Sequence, residues 1–172
     1  MRTTLVLAGL LFLLPCSAVA QETPEEEVFG GYSYLRANPG SGFKGSNASG
    51  WNASAAWNWN KWLGVKGDFS GHYCCSGNGE KKHDFLFGPQ ITFRRNAVNF
   101  FVHGLVGVSH GSAPAFSDTV LAWAGGGGVD LRLNERFSVR IAQVDFLRTN
   151  YANTWQNHFR YSGGVVIKFG KK

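Results

Sequence analysis

Beyond its first twenty residues the sequence has no long apolar run. None of the later chain is therefore suited to a membrane-spanning helix, which needs about 20 consecutive apolar residues. Charge is scarce as well. Asp, Glu, Lys and Arg make up 16% of the chain, against about 25% in ordinary soluble domains. Cysteine occurs three times, too few for a disulfide-stapled scaffold. The five histidines show none of the spacings of a metal site. Gly125 to Gly128 lacks the Lys-Ser/Thr that completes a phosphate loop. The net charge is +6, yet there is no helix-turn-helix, zinc-finger or aromatic-basic RNA signature, so nucleic acid is not an expected partner. No cofactor is expected, and no metal.

What is present begins with an export signal. Arg2 supplies a positive start, Leu5 to Leu14 an apolar stretch, and Ala18-Val19-Ala20 a small-x-small cleavage site. Residues 1–20 are read as a secretory signal peptide, which makes Gln21 the expected first residue of the mature chain. Cys16 leaves with the signal. Residues 21–27 form a short acidic segment carrying Glu22, Glu25, Glu26 and Glu27, and residues 28–170 form one domain.

That domain is aromatic and glycine-rich, with 15% Phe, Trp and Tyr and 23 glycines in the whole chain. Its strongest pattern is alternation. Trp51, Ala53, Ala55, Trp57 and Trp59 interleave with Asn52, Ser54, Asn58 and Asn60. This period of two marks a strand with one apolar and one polar face. The pattern recurs at Val65–Tyr73, Phe85–Phe93, Val129–Leu133 and Val165–Phe169. Eight strands are predicted, over 28–36, 50–60, 63–73, 84–94, 98–109, 118–133, 136–147 and 157–169. Short turns near Lys61-Trp62, Arg95–Ala97 and Asn134-Glu135 alternate with longer polar connections at 37–49, 74–83, 110–117 and 148–156. Short turns at one rim and long loops at the other describe an up-and-down barrel. In the seventh strand, Arg140 has one parity while Gln143 and Asp145 have the other. Either a bulge near Ala142 or a rim position for Arg140 accounts for this.

Aromatic residues cluster at both strand ends. Trp62, Phe93, Phe100, Phe137 and Phe169 mark one rim, and Tyr34, Trp51, Tyr73, Phe85, Phe146 and Trp155 the other. Such belts suit the two interfaces of a membrane. With the apolar face turned to lipid, the polar face lines the lumen. Lys66, Asp68, His72, Arg94, His103, Asp130, Arg132, Arg140, Asp145, Arg160 and Lys168 are then expected to form a charge network inside it, because isolated buried charge is costly. The fold class expected is all-β, an eight-stranded antiparallel up-and-down transmembrane barrel.

The stretches Phe29-Gly30-Gly31-Tyr32-Ser33-Tyr34, Gly64–Gly71 and Gly125–Asp130 resemble the OmpA-like outer-membrane β-barrel superfamily, over nearly all of residues 28–170. Ser162, Gly164, Ile167 and Phe169 resemble the C-terminal assembly signal of such barrels, although Gly170, Lys171 and Lys172 follow it. The resemblance implies residence in the bacterial outer membrane, with membrane lipid and the barrel-assembly machinery as partners. It does not specify one activity.

The leading expectation is a structural, envelope-anchoring or surface-interaction barrel with a polar lumen largely filled by side chains. A narrow channel or small-solute-binding barrel is the alternative, and a lipid-modifying enzyme a third. Some outer-membrane barrels that trim lipid A use a Ser-His-acid set. Here His103, Ser109, His110, Ser112 and Glu135 provide the residue types, but Glu135 falls at the opposite rim from Ser109-His110. A catalytic role is therefore not expected. Cys74 and Cys75, in an external loop, are left with a strained disulfide to each other, free thiols or a bond to another chain.

Overall fold

Every strand closes on its sequence neighbour, and the last closes on the first. The computed structural model describes residues 24–38, 45–74, 81–113, 116–151 and 154–170. They form β1 (Glu26–Asn38), β2 (Ser46–Asn58), β3 (Leu63–Cys74), β4 (Lys81–Arg95), β5 (Val98–Ala113), β6 (Phe116–Arg132), β7 (Phe137–Tyr151) and β8 (Thr154–Phe169). All pairings are antiparallel, and β8 completes a closed barrel by pairing with β1 from Glu26↔Phe169 to Asn38↔Asn157. The fold is the eight-stranded up-and-down transmembrane barrel expected. Closure leaves no strand edge, so every strand has a hydrogen-bonded neighbour on both sides, as a hydrocarbon environment demands. Most strands run further toward the long loops than the alternation indicated. β1 also begins at Glu26, which takes Glu26 and Glu27 into the wall.

Local chemistry explains the tight turns. Asn60 Oδ1 accepts from the backbone N–H groups of Trp62 and Leu63, at 2.9 and 2.8 Å. Asn134 Oδ1 does the same for Arg136 and Phe137, at 2.9 and 2.7 Å. These are side-chain-closed turns of the kind Asn favours. Between β4 and β5 the chain reverses at Asn96 with φ of 25°, a backbone region that Asn tolerates better than most residues.

The alternation sorts the two faces. Trp57, Phe87, Val102, Leu121, Val144, Tyr161 and Val165 point outward, while Asn52, Lys66, Asp68, Gln90, Gln143 and Arg160 are buried inside. The apolar exterior is thus a band for lipid and the core is the lumen. Both predicted aromatic rims lie on the outward face, with Trp62 63% and Phe93 53% exposed at the turn end.

β7 settles the parity question. Asp130 pairs with Arg140 but Val129 pairs with Ala142, and Arg140 and Gln143 face Gly164 and Ser162 on β8. A bulge at Ile141-Ala142 therefore inserts one extra residue. Both bulged residues face outward, and Arg140, Gln143 and Asp145 all face in.

Candidate functional site

The lumen of an eight-stranded barrel is just wide enough for side chains to meet across it. Here they do. Arg160 on β8 is the hub. Its Nε and Nη2 donate to Asp145 Oδ2 on β7 at 2.9 and 2.7 Å. Its Nη1 reaches Asp68 Oδ1 on β3 at 2.7 Å and donates to Ser70 Oγ at 2.9 Å. β3 and β8 are separated in the wall by two strands, so one guanidinium bridges the interior. Asp145 also accepts from His103 Nε2 on β5 at 2.9 Å and from Gln143 Nε2 at 2.7 Å. With His103 Nε2 donating, its Nδ1 is free to accept from Lys66 Nζ, 3.5 Å away. Lys66 also lies 3.4 Å from Asp68. The geometry is that of a mutually neutralising cluster, with two carboxylates against an ammonium and a guanidinium, all buried. Pairing of this kind offsets the cost of desolvating the charges.

Nearer the turn end lies a second arrangement. Arg140 donates from Nε and Nη2 to the two carboxylate oxygens of Asp130, at 2.8 and 3.1 Å, and from Nη1 to Gln143 Oε1 at 2.7 Å. Its planar guanidinium lies between two rings, 4.3 Å from the centre of Phe29 and 4.1 Å from that of Phe101. Arg suits such a site because its flat fork can stack and bond at once. At the rim, Arg94 Nη2 meets Glu27 Oε1 at 2.7 Å.

Of the expected network residues, Lys66, Asp68, His103, Asp130, Arg140, Asp145 and Arg160 are joined in these clusters. His72 lies higher and hydrogen-bonds Ser33 Oγ at 2.9 Å. Arg94 pairs with Glu27. Lys168 and Arg132 lie at the turn end, with Lys168 buried and Arg132 half-buried. The sequence reading left Glu27, Lys82, Asp84 and His158 out of the lumen, whereas Gln143 is on the polar face as the bulge required. Asp84 and Lys82 share the parity of Leu86 and Gln90, and that spacing was the signal available. It also missed apolar lumen residues. Leu35, Leu86, Leu105 and Leu147, with Ala48, Ala122 and Ala124, form a buried apolar cluster inside the barrel. The lumen is therefore layered rather than uniformly polar. An interior apolar residue is invisible to a rule that assigns every apolar side chain to lipid.

The C-terminal motif divides between the faces. Ser162 is buried and donates to Ser33 Oγ at 3.0 Å, while Ile167 and Phe169 face outward. Gly164 sits where a Cβ would strike the carbonyl of Gly30 on β1. The serine-histidine set does not assemble. Ser109 is buried inside while its neighbour His110 turns away and bonds Thr119 at 2.8 Å. The acidic partner of His103 is Asp145, and the atom on its other nitrogen is the Lys66 ammonium. Among the described residues no group of three or more His, Cys, Asp or Glu is placed to hold a metal ion. Cys75, and the side chain of Cys74, lie outside the described residues, as does the signal segment.

Known structures give the same fold. Neisserial surface protein A superposes with a TM-score of 0.72 at 13% identity, over 87% of this chain and 99% of that one. The attachment invasion locus protein Ail of Yersinia pestis gives 0.59 at 19% identity, over 84% and 99%. The N-terminal β-barrel domain of Pseudomonas aeruginosa OprF gives 0.54 at 11%, over 87% and 100%. No curated protein sequence matches the chain. The family model for the outer membrane protein beta-barrel domain matches residues 5–169. With that match over almost its whole length, and a closed barrel that is apolar outside and ion-paired within, the chain belongs to the outer membrane protein β-barrel family.

Proposed function

We propose that this protein is an integral barrel of the bacterial outer membrane, exported with a cleaved signal peptide, whose lumen is plugged by its own side chains and whose work is done by its external loops. Its role is structural or surface-interactive, and it is not a pore or a catalyst. The observation that carries this reading is the Arg160 bridge from β8 to Asp68 on β3 and Asp145 on β7. A side chain tied to both walls obstructs the path that a solute would take. Two of the similar structures point the same way, being by name a surface protein and an attachment invasion locus protein. The barrel common to them and to this chain serves as a rigid base from which loops project.

Purified protein in planar bilayers is expected to show no porin-sized conductance, because eight strands leave an interior just wide enough for side chains, unlike the aqueous channels of porins with about sixteen strands. A stable conductance of that size would overturn the plugged-lumen reading. Deletion in the native bacterium, followed by adhesion and envelope-stress assays, separates a surface-interaction role from a purely structural one.

A further inference from the structure

Across the lipid band the outward face of the barrel carries no charge. On β1 it runs through Val28, Gly30, Tyr32 and Tyr34, and on β7 it ends at Val144 and Phe146. The next outward residues up these two strands are Arg36 and Arg148. They flank β8, where Arg148 pairs with Asn157 and Arg36 with Phe159. Following the pairings once round the ring from Leu63 returns to β3 at Tyr73, ten residues higher. Paired residues therefore climb from β7 to β8 to β1, by about 3 Å a strand at a tilt of about 40°. Arg36 lies one outward step below Asn38, the β1 partner of Asn157, and that step nearly cancels the climb. The two arginines thus stand at one height, with Cα atoms about 12 Å apart. That height is roughly 27 Å above Phe137 and Phe169, at the upper edge of an apolar band about 25 Å tall.

The surrounding wall does not neutralise this pair. From Val28 to Gly67 and from Phe146 to Lys172 there is no Asp or Glu. All of β2 and β8, and the upper parts of β1 and β7, are therefore without a carboxylate. The acids that border these stretches are engaged inside, Glu27 with Arg94, and Asp68 and Asp145 with Arg160. Among the described residues neither Arg36 nor Arg148 has an ion pair. Both are nevertheless held. Arg148 lies 4.9 Å from the ring centre of Trp155, and Arg36 Nη1 donates to Asn47 Oδ1 at 2.8 Å. Between them on β8, Phe159 is 40% exposed and packs edge-on against Phe146, with ring centres 5.5 Å apart.

We propose that this face of β1, β7 and β8 seats a lipid of the external leaflet through a phosphate on its head group. Two positioned guanidinium groups bracket the phosphate, and the exposed Asn157 lies between them on β8. The acyl chains run down the wall over Phe159 and Tyr161, which are apolar and outward. Arg is suited to the head group because its planar fork meets phosphate oxygens two at a time. A lipid is the occupant, rather than a soluble anion, because both cations emerge at the edge of the hydrocarbon on the surface that faces it. Basic residues in that position draw anionic head groups. Long loops mark the external side of such barrels. The choice of leaflet rests on the membrane orientation proposed above, whereas the unmatched charge does not.

The mature chain, refolded in an uncharged detergent, is mixed with equal amounts of phosphatidic acid and phosphatidylcholine of the same acyl chains, and the lipids it retains are counted by native mass spectrometry. Phosphatidic acid should be retained in preference, saturating at one molecule per barrel. Arg36→Gln and Arg148→Gln should each weaken its retention by about fivefold, the effect of one cation beside an anionic head group, and leave that of phosphatidylcholine unchanged. If loss of the Trp155 stack prevents Arg148→Gln from folding, Arg36→Gln provides the readout. Arg95→Gln, exposed at the opposite rim, should have no effect. Equal retention of the two lipids overturns the proposal, as does a preference that survives both substitutions or falls as far with Arg95→Gln. Displacement of phosphatidic acid by glycerol phosphate at equal concentration also overturns it, because a soluble anion would then be the occupant. Insertion of the wild type into phosphatidylcholine vesicles is measured alongside. A chain that does not insert overturns the membrane reading and this site with it, whereas an inserted barrel without lipid preference removes only the site.

Discussion

Arg160 concentrates most of the interior's electrostatics in one side chain. Two buried carboxylates, Asp68 and Asp145, share it, and Ser70 passes the connection on to Asp84 Oδ2 at 3.2 Å. Arg160→Met would therefore leave two carboxylates to the single Lys66 ammonium, with one buried charge uncompensated. Breaking a buried pair costs about 3–5 kcal/mol where no water reaches the survivor, and any water admitted to the lumen lowers that figure. A urea titration of the folded form in detergent should show the loss as a lower midpoint at unchanged slope. The double variant Arg160→Met, Asp145→Asn removes one carboxylate with the guanidinium and keeps the Lys66–Asp68 pair, so it should recover much of the stability. A double variant no more stable than the single one would show that Arg160 acts through packing instead. The same arithmetic explains why Arg140 could not be assigned by parity alone. Its place depends on an extra residue in the wall rather than on its own chemistry.

Among the elements, the seam between β1 and β8 leaves no room for side chains at two facing positions. Gly164 and Gly31 face each other there, and a Cβ on either would run into backbone of the opposite strand, the carbonyl of Gly30 or of Gly163. Gly104 on β5 faces open space instead. Gly164→Ala should therefore reduce the yield of folded, protease-resistant barrel, while Gly104→Ala should leave it near the wild-type level. Equal yields would separate the terminal glycine from any role in closure. The strands themselves were legible in the sequence because a half-buried wall imposes a period of two that survives in residues such as Trp51–Asn60. Their outer ends were not, since a polar residue like Lys82 read as loop when it in fact belongs to β4 and pairs with Asp84 in the upper lumen. Nor was the apolar cluster of Leu35, Leu86, Leu105 and Leu147. The charged members of the site were found by parity, but their partners were not, because register across the lumen depends on strands that are distant in the chain. Glu27 shows this well: it reads as part of an acidic leader, yet it closes a pair with Arg94 from the far side of the sequence.

At the scale of the whole molecule the barrel is a ring of eight strands in which each touches only its neighbours, apart from the side chains that cross the lumen. The two ends of the ring's chain meet at one rim, with Gly170 lying against Glu25. A short linker there would turn the chain into a circle, and the circle could be reopened between β3 and β4 to give a new start at residue 81 and a new finish at Cys74. Such a permutant keeps every pairing and every lumen contact, so it should refold in detergent to the same heat-modifiable species on a gel. In cells it should accumulate far less in the outer membrane, because Ser162, Gly164, Ile167 and Phe169 would no longer stand last. Good assembly in both settings would mean that the terminal motif is not read as an address. The folded object is indifferent to where its string begins. Only the cell that must thread it into a membrane needs to know which end comes last.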